Sequence, residues 1–397
     1  MAAGGGHGPA RTRYGGRAAQ VTVTGNDTAG TTMRAALLRE FGAPLELAEV
    51  TIQEPRAGEV LVRVAASGIC GSDLKAIDGK SPVVAHLPCL LGHESAGVVE
   101  RTGPGVTGVR PGDHVIIAMN GPCGHCRNCA RTKPHLCVGQ TRMSTVMGLT
   151  ADGTTRLSAG GEVVRPYIGI GSFAEKVVVG EAMCVKVAPD APLDLLALTA
   201  CGVVTGVGAV LNTARVEPGT DVLVVGCGGV GLNVVQGAVL AGATTIIAAD
   251  VVGSKLRLAE EFGATHTLLA DDLPKQVGEI VRGGVDYAFD VTGIAAVLTQ
   301  ALAATRSGGT TVMVGSPAAG EDLRIPPGQL FASRRLMGTQ GGDAVPARDL
   351  PMLVDLYRRG RLNLEGLVSE RIPVEAVNEG IAHVRAGAVA RSVIVFD

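Results

Sequence analysis

The sequence of 397 residues contains no Trp, and four Tyr and six Phe are its aromatic residues. Charge is also sparse, since 35 basic and 37 acidic residues leave a net charge of −2. This balance excludes the strongly basic surface that nucleic acids or anionic membranes attract. We therefore expect a small-molecule partner, with no nucleic acid and no membrane partner.

A continuous apolar leader is lacking as well. Residues 1–32 are rich in Gly, Ala, Thr and Arg and show no sustained periodicity. They predict a flexible N-terminal tail, with Met33 as an alternative start. Without a secretory segment, the expected location is the cytoplasm.

Residues 222–249 carry no charged side chain and are long enough to suggest a membrane span. However, Asn233, Gln236 and a glycine cluster interrupt the apolar sequence. These interruptions favour a buried strand, turn, helix and strand.

The hydrophobic pattern changes along the chain and predicts an α/β protein. Residues 34–187 contain short apolar runs punctuated by Gly, Pro and Asp, which indicate a β-rich region. From residue 221 onward, apolar runs alternate with segments of helical length, as in a doubly wound parallel sheet. The predicted strands of that sheet are residues 222–225, 245–248, 287–290 and 310–314. In the last segment we predict helices near residues 350–359 and 374–385 and a strand at residues 392–396.

Glycine is abundant, with 57 residues, and one cluster forms a dinucleotide-binding fingerprint after the strand at 222–225. The turn comprises Gly226, Gly228, Gly229, Val230 and Gly231 in a G-x-G-x-x-G pattern. Such glycines let backbone N–H groups approach a pyrophosphate at a helix N-terminus. Asp250 ends the next strand, where its carboxylate can bind both adenosine ribose hydroxyls and would repel a 2′-phosphate, so NAD is favoured over NADP. The alternative is a glycine turn in a cofactor-free domain with a helix-capping Asp.

Nine cysteines are present, and four of them lie within one polar loop. Cys123, Cys126, Cys129 and Cys137 have the spacing C-x2-C-x2-C-x7-C. Four thiolates can complete a tetrahedral zinc shell, which is typical of a structural site. An iron–sulfur centre and unligated cysteines remain as alternatives, although Pro does not follow Cys137 as in many iron–sulfur motifs. We expect His125 and His135 of this loop to be solvated.

A second set of possible ligands is scattered along the chain. Cys70 follows an apolar strand, His93 and Glu94 occur in a Gly-His-Glu tripeptide, and Cys201 precedes a glycine. Taken singly, each residue could equally be a core or turn residue.

The pattern Gly92-His93-Glu94-x2-Gly97-x5-Gly103-x2-Val106, with the four-cysteine loop and the later fingerprint, resembles the zinc-dependent alcohol dehydrogenases of the medium-chain dehydrogenase/reductase superfamily. The resemblance extends over residues 33–397. It implies a GroES-like β-rich catalytic domain plus a Rossmann doubly wound parallel sheet. The implied boundaries are a tail at 1–32, a catalytic domain at 33–203, an NAD-binding domain at 204–338 and a return to the catalytic domain at 339–397.

The resemblance also implies which residues act on the substrate. Cys70, His93 and Cys201 would bind a catalytic zinc with an open fourth position, the arrangement known from alcohol dehydrogenases. A second, structural zinc in the four-cysteine loop makes two per chain. Ser72 would accept the alcohol proton, Asp73 would orient His93, and Glu94 would be a carboxylate near the metal. Zinc would act as a Lewis acid and the nicotinamide of NAD would accept a hydride.

Further residues match the cofactor contacts of the family. Arg391 would clamp the pyrophosphate and Lys255 the adenosine ribose. Thr205 and Val230 would face the nicotinamide.

Two positions depart from the family pattern. Gly71 stands where many relatives have a basic residue contacting pyrophosphate, so cofactor release would be faster. Lys75 stands where many relatives have a relay histidine, and a lysine of ordinary pKa is a poor base at neutral pH. Either the pKa of Lys75 is perturbed, or the proton passes from Ser72 through ribose and water. We expect Lys75→Ala to lower alcohol oxidation only modestly.

The branch of the family that the sequence resembles narrows the range of expected substrates. Residues 148–156 and 169–175 are similar to the long-loop branch, which includes class III, thiol-dependent formaldehyde and aryl-alcohol dehydrogenases and is typically dimeric. Met119 and Asn120 match pocket positions, and Thr141 and Arg142 straddle the position of the class III arginine. We predict a homodimer that oxidises a primary or aryl alcohol. The alternatives are an S-(hydroxymethyl)thiol dehydrogenase, acting on a formaldehyde adduct, and a catalytically silent cofactor-binding relative.

Overall fold

The computed structural model describes residues 30–81, 83, 86–139, 147–318, 320–387 and 389–397. Residues 1–29 of the predicted tail, and Thr141 and Arg142, lie outside the described residues. Residues 30–32, which the sequence assigns to the tail, instead belong to the first strand. They do so because they pair with residues 51–53 of the second strand.

The strands and helices are numbered along the chain. The strands before residue 190 are β1 (Gly30–Leu38), β2 (Glu46–Gln53), β3 (Glu59–Gly68), β4 (Cys89–Leu90), β5 (Glu94–Thr102), β6 (His114–Ile117), β7 (Leu157–Ala159), β8 (Glu162–Pro166), β9 (Lys176–Gly180) and β10 (Cys184–Val187). Those after it are β11 (Asp221–Val225), β12 (Thr245–Asp250), β13 (His266–Leu269), β14 (Val285–Asp290), β15 (Thr305–Met313), β16 (Arg335–Gly338), β17 (Val368–Ile372) and β18 (Arg391–Val395). The helices are α1 (Gly71–Ile77), α2 (Arg127–Ala130), α3 (Leu193–Leu196), α4 (Gly202–Gly208), α5 (Gly229–Ala241), α6 (Gly253–Glu261), α7 (Leu273–Ile280), α8 (Ala295–Ala303), α9 (Pro346–Arg358) and α10 (Val377–Ala386).

Two sheets form the β-rich domain. One closes into a barrel in the order β1-β2-β7-β8-β4, and the other runs β10-β6-β5-β3-β18-β17, with β9 also paired to β3. Successive side chains of β3 point to opposite faces of the sheet, so this strand contributes to two hydrophobic cores. Val60, Val62 and Val64 pack into one core, and Leu61 packs into the other, which lies between the two sheets. Since β18 pairs with β3, the C-terminal segment returns to this domain.

The second domain is a parallel sheet in the order β13-β12-β11-β14-β15-β16. Residues 222–249 form β11, α5 and β12, as predicted. Val222 and Val224 pack on one face of the sheet, and Leu223 and Val225 pack on the other, so this strand is apolar throughout. Helix α4 crosses the predicted boundary between residues 203 and 204 and joins the two domains.

Among the described residues, we find no single helix that meets the length and hydropathy needed to cross a membrane. Two consecutive helical segments, Leu193–Ala200 and Gly202–Ala214, are together long and apolar enough for a membrane span, but they meet at a bend of 51°. Most residues of this pair are buried in the protein core.

Candidate active site

Cys70, His93, Glu94 and Cys201 converge although they are remote in sequence. Their ligand atoms all lie within 4.8 Å of one another, and all four residues are buried. The pairing of β3 with β5 sets Gly68 opposite Glu94, which brings Cys70 near His93. Cys201 joins them from the N-terminus of α4. The sheet register therefore assembles the scattered set into one cluster.

The Asp73 carboxylate orients His93 and the loop around it. Its oxygens accept hydrogen bonds from the backbone N–H groups of Cys70 at 2.9 Å and Gly92 at 3.2 Å. His93 Nδ1 lies 3.3 Å from Asp73 Oδ1, and since a carboxylate only accepts, Nδ1 carries the proton. When the imidazole is neutral, Nε2 can bind a metal, and Ser72 Oγ lies 3.1 Å from it.

Electrostatics show that the cluster suits a divalent cation. The hydrogen bond from Cys201 lowers the pKa of Cys70 well below that of an ordinary thiol, and the same contact raises the pKa of Cys201. Burial alone would lower the pKa of His93, but Asp73 and Cys70 raise it well above its usual value. The cluster thus retains protons that a metal ion would displace on binding. Two thiols and one imidazole are also the donors that zinc prefers.

Glu94 and Arg391 form a buried ion pair beside the two thiols. Arg391 Nε lies 3.3 Å from Glu94 Oε2, and Nη2 lies 3.4 Å from Oε1 and 4.0 Å from Cys70 Sγ. Burial raises the pKa of Glu94 to about 7, although the Arg391 guanidinium opposes the shift. On its other side, Arg391 lies so close to Gly229 that a Cβ there would collide with the guanidinium. Arg391 therefore lies between the cluster and the glycine turn.

The glycine turn links β11 to α5. At Gly231 a Cβ would collide with the Gly226 carbonyl, so only glycine permits this tight passage into the helix. No side chain caps the N-terminus of α5, which leaves its first N–H groups available to a ligand. Asp250 ends β12 and accepts hydrogen bonds from the backbone N–H groups of Cys227 at 2.8 Å and Val252 at 2.9 Å.

A cavity of about 560 Å³ between the domains brings most predicted residues together. The predicted residues that line it are Cys70, Ser72, Lys75, Cys201, Thr205, Gly226, Gly228, Gly229, Val230, Asp250, Lys255 and Arg391. Gly231 packs beneath the turn, while Asp73, His93 and Glu94 are buried behind the cavity wall. A dinucleotide fits this arrangement, because the glycine turn and the cysteine pair face the same space.

The four-cysteine loop forms a second cluster, whose ligand atoms also lie within 4.8 Å of one another. Cys126 Sγ lies 3.6 Å from Cys129 Sγ and 3.9 Å from Cys137 Sγ. Hydrogen bonds from backbone N–H groups lower the pKa of Cys126 to about 6, and burial raises the pKa of Cys129 to about 12. Four sulfur atoms at this spacing fit a tetrahedral metal with no open position.

The histidines of this loop differ from each other. His125 is exposed, as predicted. The expectation of a solvated His135 is wrong, because its side chain is only 15% exposed and its Nε2 lies 3.8 Å from Asp343 Oδ1. This contact places the loop beside the turn at Gly341–Asp343, which packs against α4.

Tyr167 is a buried site residue that sequence reasoning missed. Its ring packs edge-on against His93, with the ring centres 5.5 Å apart, and its hydroxyl donates to the Ser72 carbonyl at 3.3 Å. The available signal was its position two residues before residues 169–175, a segment that the sequence comparison with the family had singled out. Met119 lies against Gly341, and its contact with substrate stays a prediction.

Comparison with known proteins adds to this geometry. The family model "Alcohol dehydrogenase GroES-like domain" matches residues 56–190, and "Zinc-binding dehydrogenase" matches residues 229–359. The alcohol dehydrogenase class-3 of Cereibacter sphaeroides is 40% identical over 375 residues, which cover 91% of this chain and 99% of the relative. The S-(hydroxymethyl)glutathione dehydrogenase of Paracoccus denitrificans is 40% identical over 374 residues, with the same two coverages. The crystal structure of benzyl alcohol dehydrogenase from Acinetobacter calcoaceticus is 33% identical with a TM-score of 0.87, and the match covers 92% of this chain and 100% of that one.

These matches span both domains and confirm the predicted fold class, enzyme class and family. They do so independently of the side-chain geometry. The chain belongs to the zinc-dependent alcohol dehydrogenases of the medium-chain dehydrogenase/reductase superfamily.

Proposed function

We propose that this enzyme interconverts a primary or aryl alcohol and its aldehyde, using NAD and two zinc ions per chain. The observation that carries the proposal is the single cavity shared by the glycine turn, Asp250 and the Cys70–Cys201 pair. A hydride donor and acceptor must meet within contact distance, and a common cavity meets that requirement. The name of the benzyl alcohol dehydrogenase neighbour supports an aromatic or primary alcohol.

In this proposal Cys70, His93 and Cys201 hold one zinc, and the four cysteines from Cys123 to Cys137 hold the other. When bound, zinc supplies Lewis acidity toward the substrate oxygen and NAD supplies hydride acceptance. Asp73 keeps Nε2 of His93 directed at the cluster through its bond to Nδ1. Ser72 Oγ lies beside that nitrogen and accepts the alcohol proton.

In this proposal Glu94 acts indirectly, by positioning Arg391. Its ion pair with Arg391 keeps the guanidinium between the thiols and the glycine turn. There Arg391 would bind pyrophosphate together with the N–H groups at the start of α5. Thr205 and Val230 line the same cavity and would face the nicotinamide.

The preference for NAD over NADP depends on Asp250. Two backbone N–H groups orient its carboxylate, which retains further acceptor capacity for ribose hydroxyls. Its charge would repel a 2′-phosphate, and the next residue, Val251, offers no compensating cation. Lys255 lines the same cavity as Asp250 and would contact the ribose.

A second candidate is an S-(hydroxymethyl)thiol dehydrogenase. It is favoured by the names of the two relatives at 40% identity, one of which is an S-(hydroxymethyl)glutathione dehydrogenase. The chemistry at the cluster would be the same, because this substrate is also a primary alcohol. Only the recognition of the thiol part differs.

We also propose a cytoplasmic homodimer. None of the nine cysteines, all of which the structure describes, forms a disulfide, as expected for a reducing compartment. Strand β16 is an open edge of the parallel sheet, and beside it Phe331 is 84% exposed. Pairing with a second copy would cover this edge and the apolar side chain.

The test is a screen for NAD reduction with ethanol, benzyl alcohols, polyols and formaldehyde, the last with and without low-molecular-weight thiols. We expect NADH formation from a primary or aryl alcohol without thiol, and little activity with NADP in place of NAD. Activity that requires both formaldehyde and a thiol would establish the second candidate. Absence of turnover with every substrate, in protein that carries two zinc ions per chain, would reject both.

A further inference from the structure

Lys75 spans the cavity between the two domains. The residue lies in α1 of the β-rich domain, and its Nζ donates a hydrogen bond to the backbone carbonyl of Ser316. Ser316 follows β15 in the parallel-sheet domain. Both residues line the cavity that contains Cys70 and the glycine turn. Their contact therefore links opposite walls of this cavity.

The acceptor of this bond belongs to a firmly held loop. Gly315 packs so tightly on Gly293 that a Cβ on either residue would collide with the backbone of the other loop. The Asp290 carboxylate accepts hydrogen bonds from the N–H groups of Thr292 at 3.0 Å and Gly293 at 3.3 Å. The Asp290 carbonyl in turn accepts the N–H groups of residues 314 and 315 at 2.8 and 2.9 Å. Lys75 thus binds a double loop whose position the sheet determines.

The hydrogen-bond partner of Lys75 does not suit a proton relay. Burial lowers its pKa below that of free lysine, but the Asp290 and Glu321 carboxylates oppose the shift. A protonated amine has three donors and no lone pair, and a carbonyl partner cannot accept a proton for onward transfer. The contact with Ser316 is therefore a hydrogen bond that connects two walls and does not form part of a chain of proton carriers.

We propose that Lys75 is an interdomain latch that positions the cofactor-binding loop at residues 314–316 against α1, rather than the acceptor of the alcohol proton. The latch holds the cavity at the width in which the nucleotide contacts both walls. It retains NADH and slows its release. The inference depends on the proposed function for the identity of the ligand, whereas the contact between the domains does not.

The experiment compares Lys75→Met, which keeps the stem but removes the donor, with Lys75→Arg, which retains a donor. NADH binding is followed by the fluorescence of the nucleotide, which protein emission does not obscure because the chain has no Trp. Loss of one hydrogen bond predicts roughly three- to tenfold weaker NADH binding in Lys75→Met and near-native binding in Lys75→Arg. The pH midpoint of kcat is expected to stay in place.

Hydrogen exchange provides a readout that does not require NADH. In Lys75→Met without nucleotide, the N–H groups of residues 314–316 and 318 should exchange faster than in the native chain, and Lys75→Arg should restore protection. Lys75→Leu, which also lacks a donor, serves as a second variant in case the Met variant is unstable. Native NADH affinity and native exchange in both neutral variants would overturn the latch. A shifted pH midpoint of kcat with native NADH affinity would overturn it in favour of a proton relay.

The two proposals fail in different ways. If the native protein bound no NADH, the proposed function would be wrong, while the exchange comparison would still report on the latch. Suppose instead that the native protein bound NADH and turned over alcohol, but that substitution of Lys75 changed neither NADH affinity nor hydrogen exchange. Only the latch would then be wrong.

Discussion

The two cysteine clusters of this protein offer similar ligand atoms but differ in how the chain assembles them. The four-cysteine cluster comes from one loop of fifteen residues, Cys123 to Cys137, and three of its four cysteines are partly exposed. The cluster of Cys70, His93 and Cys201 is buried, and it needs β3, β5 and α4 in place. Local spacing is enough to specify the first cluster. The second exists only in the folded domain, which also supplies its cavity and the Arg391–Glu94 pair.

This difference predicts that the two clusters fail separately. A local, closed cluster stabilises the loop that contains it, because a metal bound there favours the folded loop over the unfolded one. A buried cluster open to a cavity serves chemistry, since the fold already holds its ligands in place. The following substitutions test the separation.

The largest effect is expected for Cys70→Ser. Removing one thiolate weakens metal binding at the buried cluster, so zinc content should fall from two to one per chain. Loss of the Lewis acid should reduce kcat/KM by about a thousandfold or more. The thermal midpoint should change little, because the surrounding sheet remains packed. A variant that keeps two zinc ions and most of its activity would contradict the assignment of this cluster.

The complementary substitution is Cys129→Ser in the four-cysteine loop. Here too the zinc content should fall to one per chain, but the main result should be a thermal midpoint lower by roughly 10 °C, measured by calorimetry. At a temperature where the variant stays folded, kcat should remain within a few-fold of the native value. Cys184→Ser, on a cysteine outside both clusters, is the matched control. A thousandfold loss of kcat with an unchanged midpoint would show that the two clusters do not differ in this way.

A smaller effect is expected for Asp250→Ser, which leaves both clusters intact. Without the carboxylate, NAD binding should weaken roughly tenfold, since hydrogen bonds to a charged group are lost. NADP binding should improve, because the repulsion of its 2′-phosphate disappears. Nucleotide titration with both cofactors measures this change, and zinc content should stay at two. Unchanged NAD affinity would refute the assignment of Asp250 to the ribose.

Features that depend on residues close together in the sequence could be predicted from the sequence. The glycine turn and the strand and helix around it occur where the pattern places them, because the G-x-G-x-x-G spacing is a local backbone requirement. Strand β13 and strand β16 were not predicted. Both are short edge strands whose mixed exposure lacks a continuous apolar run. The start of β1 at Gly30 was also missed, because its pairing partner supplies the reason for it.

The candidate site likewise contains residues that the sequence indicates and contacts that only the fold creates. The sequence marked Cys70, His93 and Cys201, but only as a resemblance, since each residue alone could be a core residue. Tyr167, which follows β8, packs on His93, which precedes β5, and spacing along the chain gives no sign of this contact. The bond from Lys75 to Ser316 crosses two domains, so the sequence presented Lys75 only as an unusual base.

By itself, the sequence determined what short-range chemistry can specify: a closed set of four sulfur ligands, a glycine turn for a phosphate and an acidic residue after the next strand. The tertiary structure decided which of these features share one cavity and which residue joins its walls. The physical reason is that sheet register and domain packing set distances between remote side chains, whereas spacing along the chain sets only those within a loop or a turn.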